Sequence, residues 1–310
     1  MIFGQYFNRH DTWAEMAKPW VDYIARNSYL LQQGRDVADV AYFYGEEAPV
    51  SALATEPFFP DAPTRYAYDF VNADALLNVL NVEGGDLVAP SGARYKALYL
   101  GGTRETLTLP VLRRLAALAE AGATVIGHAP HGSPSLKDDP AEYAALVKKL
   151  WSQAPTIEVG RGRVIASKDP ESVLVSLGVS PDFSYTSKDT DSEVMFVHRK
   201  LNDGDLYFVN NRKNRDERLD ARFRVTGHAP ELWRADTGAV EPLSYRIDGD
   251  TTAVALDMRA EDSFFVVFRK PTNQMSATFD KPRYSPVMTL NGSWDVSFEP
   301  NLGAPASVKL

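Results

Sequence analysis

The hydrophobic pattern of this chain changes period once, near residue 185, and that change limits the architecture more than any other feature. Before it, continuous apolar runs at 37–44, 95–100 and 123–127 read as buried strands, and the stretch 109–121 between the last two is amphipathic with helical spacing. Strand, helix and strand at this separation imply a right-handed crossover and a parallel sheet. Helical patterns at 74–79 and 140–151, a short strand at 162–165 and a turn at 169–177 continue the alternation, so residues 36–185 are expected to form one doubly wound α/β domain. After the change, seven short runs alternate apolar and polar residues, at 194–199, 205–210, 222–226, 230–234, 240–245, 251–256 and 263–269. Asn-Asp-Gly, Asp-Thr-Gly and Asp-Gly-Asp stand at the bends, and this predicts an antiparallel β-sandwich over 186–270.

The flanks read differently. Thr12 with Glu15 has capping-box spacing, and Trp13, Met16, Ala17, Trp20, Tyr23, Ile24, Leu30 and Leu31 recur at three- and four-residue steps up to Gly34. One long aromatic-rich helix over 12–33 is expected, with Pro19 kinking or restarting it. Residues 271–288 read as a linker, and 290–298 as a first strand without its sheet. Both ends are therefore expected to be cut, the chain being a piece of a larger protein.

Composition removes several function classes. The 33 Lys and Arg against 41 Asp and Glu give a net charge of −8 with no long basic block, which argues against a nucleic-acid partner. With no cysteine there is no disulfide framework, thiolate metal site or thiol nucleophile. No run of 18 apolar residues suggests a membrane-spanning helix, and Met1 to Phe7 lacks the features of a signal peptide.

Candidate chemistry is sparse. Gly101-Gly102-Thr103 lacks the further glycine or Gly-Lys-Ser/Thr of a nucleotide motif and reads as a tight strand-to-helix turn. His128 and His131 lie in one loop with no obvious third ligand, so a hydrogen-bonded loop outweighs a metal site. No Gly-x-Ser-x-Gly elbow occurs. Glycosidic hydrolysis needs two spaced carboxyl groups, but Glu46-Glu47 and Asp138-Asp139 are sequence neighbours that point apart. Asp69, among Tyr66, Tyr68 and Asn72, suits a sugar better, although a structural role is the simpler reading. Residues 5–13 gather aromatics, an amide, a guanidinium and an imidazole. Buried, each would need a partner, which balances a ligand-proximal role against a structural one.

Phe7-Asn8-Arg9-His10-Asp11-Thr12-Trp13, followed by Lys18-Pro19-Trp20, Ser28-Tyr29-Leu30-Leu31-Gln32-Gln33-Gly34 and the strand at 37–44, resembles a stretch of the α-L-rhamnosidases of glycoside hydrolase family 106. The likeness continues through Tyr68-Asp69-Phe70-Val71-Asn72, Phe208-Val209-Asn210-Asn211, 231–238 and Leu290-Asn291-Gly292-Ser293-Trp294. The resemblance implies an order of parts: residues 1–35 as the end of a catalytic (β/α)8 barrel, 36–185 as an amidotransferase-like α/β domain, 186–270 as the β-sandwich, and 271–310 as a linker and the first strand of a further β-domain. It also implies an inverting enzyme that removes terminal α-L-rhamnose with two glutamates and calcium assistance. Those glutamates would lie upstream of this chain, which carries no catalytic residue in this reading. The partners implied are a carbohydrate substrate and the upstream barrel of the same polypeptide, in an exported parent, periplasmic or secreted. Asn8, Arg9, His10 and Trp13 are the residues expected near substrate, with His10 standing where asparagine is expected. Two alternatives stand beside this reading: a non-catalytic carbohydrate-binding or structural module, and a glycosidase of other specificity, such as a β-galactosidase relative. A truncated enzyme should leave Trp13, Trp20 and Tyr29 uncovered, whereas a self-sufficient module should bury them.

Overall fold

The computed structural model describes residues 8–46, 61–102, 105–152, 154–280 and 285–310, and within them the protein is mostly β-sheet with few helices. It divides into two compact units, Met1–Thr278 and Phe279–Leu310. No helix among the described residues is long and apolar enough to cross a membrane.

The first unit opens with a 3-10 turn, Ala14–Met16, and helix α1, Lys18–Leu31. The single helix expected over 12–33 is thus divided. Pro19 falls in the first turn of α1, where its missing N–H costs nothing, so the proline starts the helix instead of kinking it. No side chain caps either element, so the predicted Thr12 cap is not formed. The helix stops before Gly34, whose φ of 60° is left-handed and whose added Cβ would lie 2.1 Å from the Lys200 carbonyl oxygen.

From there the chain enters two sheets within a few residues. Strand β1 (Arg35–Asp36) pairs with the later antiparallel region, whereas β2 (Val40–Phe43) and β3 (Tyr68–Val71) pair in parallel. Strands β4 (Asn81–Glu83), β5 (Asp86–Val88) and β6 (Arg94–Tyr95) make a small meander, and β7 (Ala97–Leu100) returns to β2. Helix α2 (Leu109–Ala121), β8 (Thr124–Ile126), α3 (Pro140–Leu150), β9 (Thr156–Val159), β10 (Gly162–Ile165) and α4 (Pro170–Ser176) complete this half. The sheet order is β3-β2-β7-β8-β10-β9, parallel except for the β9 edge. Val40 to Phe43 and Ala97 to Leu100 are buried throughout because both sheet faces are covered. Leu112, Leu115 and Ala119 of α2 pack with Ala41, Phe43 and Leu98 on one face, while Tyr42, Tyr99 and Leu174 of α4 meet on the other.

The later strands are β11 (Phe183–Ser187), β12 (Val194–Leu201), β13 (Gly204–Asn211), β14 (Glu217–Phe223), β15 (His228–Trp233), β16 (Val240–Pro242), β17 (Tyr245–Asp248), β18 (Thr251–Met258), β19 (Ser263–Pro271) and β20 (Ser276–Ala277). They form two antiparallel sheets, β1-β12-β13-β19-β15-β16 and β11-β14-β18-β17-β20. Tyr207, Val209, Phe264 and Phe268 of the first pack with Phe183, Leu219, Phe223 and Leu256 of the second in one core. The strand predicted at 222–226 lies earlier, at β14, and the one at 240–245 divides at Leu243 and Ser244 into β16 and β17. Residues 271–277, read as linker, include the end of β19 and all of β20.

In the second unit β21 (Asp295–Ser297) pairs with β22 (Ser307–Lys309). The strand expected to lack a sheet therefore has a partner, supplied by the last residues of the chain.

Candidate functional site

The N-terminal loop is held by its own short-range bonds. Asn8 Oδ1 accepts the His10 backbone N–H at 2.8 Å, the Asn8 backbone N–H donates to Asp11 Oδ2 at 2.9 Å, and Ala14 N–H closes onto the Asp11 carbonyl at 3.0 Å. Such side-chain to backbone turns are what Asn and Asp provide before a helix. Asn8, Arg9 and His10 are exposed, with Arg9 Nε 3.4 Å from His10 Nε2, and Trp13 meets Trp20 edge-on at 6.3 Å. The structure thus brings all four expected residues onto one turn. For Asn8, Arg9 and His10 the burial cost assumed for this segment does not arise, because they are exposed; residues 5–7 lie outside the described residues.

Helix α1 carries that turn, and it is seated on the outer face of the six-stranded antiparallel sheet. Tyr23, Leu30 and Leu31 pack against Leu206, Phe265 and Val267. Tyr23 Oη bonds Ser263 Oγ at 2.8 Å, and Arg26 donates to the carbonyls of Ala235 and Asp236 at 2.9 and 3.2 Å. Arg199 reaches the Gln33 and Gly34 carbonyls at 2.9 and 3.1 Å, securing the helix end. Apolar side chains around and before this seated face are exposed: Trp13 is 43% exposed, Met16 77% and Trp20 49%, with Val21 and Ile24 following, and Tyr29 is 66% exposed on a different side of the helix.

The carboxylates weighed as acid and base are committed elsewhere. Glu46 accepts the Thr108 N–H and hydroxyl, both at 2.8 Å. Asp138 accepts Leu109 N–H at 2.7 Å and Ser133 Oγ at 2.5 Å, and Asp139 caps α3 through Glu142 N–H at 2.7 Å. Glu47 lies outside the described residues. Asp69, on β3, accepts the Tyr95 hydroxyl at 2.9 Å; burial and that carboxylate push the phenol well above its ordinary value. Gly102 N–H donates to Asp61, which also accepts Tyr42 and Tyr99 at 2.8 Å each, so the glycine turn cradles the protein's own carboxylate. An added Cβ on Gly101 would lie 2.4 Å from the Tyr42 ring, which explains the glycine there. The N-terminus of α2 is likewise filled by Asp138. His128 and His131 are exposed, and no group of three or more metal-ligating side chains exists among the described residues.

One buried network escaped the sequence reading. His198 on β12 places Nδ1 at 3.0 and 2.9 Å from the two oxygens of Asp182, and Nε2 at 3.0 Å from Asp205 Oδ1. Its ring stacks on Tyr207 at 4.0 Å, and the Tyr207 hydroxyl donates to Asp182 at 2.7 Å. Arg224 contacts Asp39, at the entry to β2, with one nitrogen 3.0 and 2.8 Å from its oxygens, and donates to the Ser180 carbonyl at 2.8 Å. Asp182, His198 and Asp205 are buried. The network joins the parallel sheet to the antiparallel strands, with His198 and Asp182 buried at its centre and its Asp39–Arg224 end lining an open cleft of about 550 Å³ beside Asp36, Arg94 and Lys96. The strand alternation placed His198 inward, and that was the available signal.

Comparison with known proteins decides the family. Residues 1–247 match the profile of glycoside hydrolase family 106, described as alpha-L-rhamnosidase. The chain belongs to this family. A rhamnosidase structure from Novosphingobium sp. PP1Y aligns with a TM-score of 0.91 and 51% identity over 99% of this chain and 30% of that one. A protein of Formosa agariphila named as a putative beta-glucuronidase is 32% identical over 279 residues, 88% of this chain and 23% of its own length. This family member therefore spans between about a quarter and a third of the relatives it matches.

Proposed function

We propose that this chain is the part of an exo-acting α-L-rhamnosidase that follows a catalytic (β/α)8 barrel. In this reading α1 is the last barrel helix, the parallel sheet is an amidotransferase-like α/β domain, and the two facing antiparallel sheets are a β-sandwich. Residues after 278 begin a further β-domain. The observation that carries it is the apolar stripe of Met16, in the turn before α1, and Trp20, Val21 and Ile24 on α1, exposed while Tyr23, Leu30 and Leu31 of the helix are seated on the sheet. A stripe of this kind asks for a partner surface, and a helix ring is what a barrel offers. A self-sufficient module would have buried these side chains.

The reaction is the removal of terminal α-L-rhamnose from glycans or glycosides with inversion, by two glutamates preceding residue 1 in the full polypeptide. An inverting pair must be held far enough apart to admit water. Glu46, Asp138 and Asp139, each bound to backbone N–H groups, are not placed for that work. Asn8, Arg9, His10 and Trp13 contribute to the rim of the sugar site, with Arg9 as a hydroxyl-binding donor. Calcium, where the full enzyme uses it, is held outside the described residues, which offer no cluster of three or more ligating side chains. The parent enzyme is exported and meets its substrate outside the cytoplasm.

The test is hydrolysis of a chromogenic α-L-rhamnoside by this chain and by a protein extended upstream through the barrel. Turnover is expected only in the longer protein, where Arg9→Ala lowers kcat/KM by about 10–100-fold, the effect of losing one charged hydrogen bond. Turnover by the short chain refutes the reading.

A further inference from the structure

The C-terminal end of α1 and the turn between β12 and β13 enclose a cleft of about 280 Å³ with a mixed lining. Its floor is Leu30, Leu201, Leu206 and Val267, and its aromatic walls are Tyr29 and Trp233. The rim is polar: Gln33, Asn202, Asp203 and Arg269. Tyr29 lies about 140° around the helix from Ile24, so this cleft is separate from the apolar stripe assigned to the barrel.

We propose that this cleft is a carbohydrate-contact site that takes one neutral pyranose unit of a glycan. A pyranose has a face of C–H bonds and an edge of hydroxyls that donate and accept. The Tyr29 ring, 66% exposed, offers a flat surface for the face. For the edge, Arg269 Nε and Nη2 both donate to Asp203 Oδ2, at 2.8 and 2.5 Å. Asp203 Oδ1 is left without a side-chain donor among the described residues, and Arg269 keeps a further guanidinium nitrogen. Hydrogen bonding from Arg269 lowers the Asp203 pKa, so this carboxylate is an acceptor across the neutral range. Neighbouring hydroxyls of a sugar match an acceptor and a donor held side by side.

Charge selects against other occupants. The ion pair is neutral as a unit, so an anion meets Asp203, a cation meets Arg269, and a lipid meets both. The walls are also preformed: Gln33 Nε2 bonds the Tyr29 carbonyl at 2.7 Å, and Gly34 sits against the Lys200 carbonyl. The choice of sugar among neutral ligands rests on the rhamnosidase reading.

Titration of this chain with methyl α-L-rhamnopyranoside, followed by ligand-observed NMR saturation transfer, tests the site. Saturable binding is expected, and Tyr29→Ala and Asp203→Asn should each weaken it by about tenfold, the equivalent of one good contact. Both positions are exposed, and circular dichroism verifies that the variants fold. Leu136→Ala, at an exposed position outside the cleft lining, should leave the affinity unchanged. Absence of saturable binding, or binding that survives both cleft substitutions, overturns the proposal. The outcome is independent of catalysis: an upstream-extended protein that fails to cleave rhamnosides refutes the enzymatic reading and leaves this titration as it was.

Discussion

Replacing His198 by glutamine tests the buried network most directly. Both ring nitrogens face carboxylates within 3.0 Å, and both can donate only when the imidazole is protonated. Burial opposes that charge, but Asp182 and Asp205 outweigh it, and the pKa of His198 is raised. Breaking a buried ion pair from one side costs about 3–5 kcal/mol. Here Tyr207 and Arg224 still reach Asp182, Lys200 still reaches Asp205 at 2.8 Å, and glutamine can donate to one carboxylate. The expected loss at pH 6 is therefore at the lower end, about 3 kcal/mol. A raised histidine pKa means that the folded state holds the proton more tightly. Its contribution is complete below the unfolded value near about 6.5 and is lost as pH climbs through the folded value, at no more than about 1.4 kcal/mol per pH unit. Asp205, whose carboxyl is lowered despite burial because His198 and Lys200 bond it, contributes above its unfolded value and loses that contribution in acid. Urea unfolding of wild type and variant from pH 6 to 9 should show the gap narrowing as pH rises. A gap that is constant across that range, or below about 1 kcal/mol at pH 6, would refute the charged assignment.

Two further substitutions probe how the parts are joined. Gly34→Ala should destabilise by about 2–3 kcal/mol in urea unfolding, because the residue is left-handed and its Cβ would meet the Lys200 carbonyl at 2.1 Å; a neutral effect would mean that the helix end is not seated on β12. Arg224→Met should cost about 3 kcal/mol by stranding the Asp39 carboxylate, and adding Asp39→Leu should recover part of it; strict additivity in that double-mutant cycle would show that the two side chains do not interact.

The elements most legible in the sequence were those whose burial matches their period. The buried runs at β2 and β7, the amphipathic α2 and the alternating β12, β13, β18 and β19 are all near their expected positions, because packing and local pattern agree there. Shifts came where a turn decides register, as at β16 and β17. Strand β3 was hidden because Tyr68 to Val71 reads equally as an aromatic recognition segment. At α1, Thr12 and Glu15 gave a capping signal, and Pro19 prevailed because its fixed backbone suits a first turn. The grouping of Asn8, Arg9, His10 and Trp13 followed from their adjacency. The Asp182, His198 and Asp205 network did not, since two of its members are separated by turns whose geometry a linear pattern does not specify.

The outer strands of the six-stranded antiparallel sheet have a consequence for solubility. One edge is β1, two residues long, and the other is β16, three residues ending in Pro242. Short or proline-terminated edges give a neighbouring molecule little backbone to pair with. Behind β1 lies β12, eight residues long with Met195 and Val197 exposed. Arg35 and Asp36, anchored by the helix before them, pair with Lys200 and Arg199 and so blunt the end of that strand, and a protein trimmed to begin after residue 36 would lengthen the open edge.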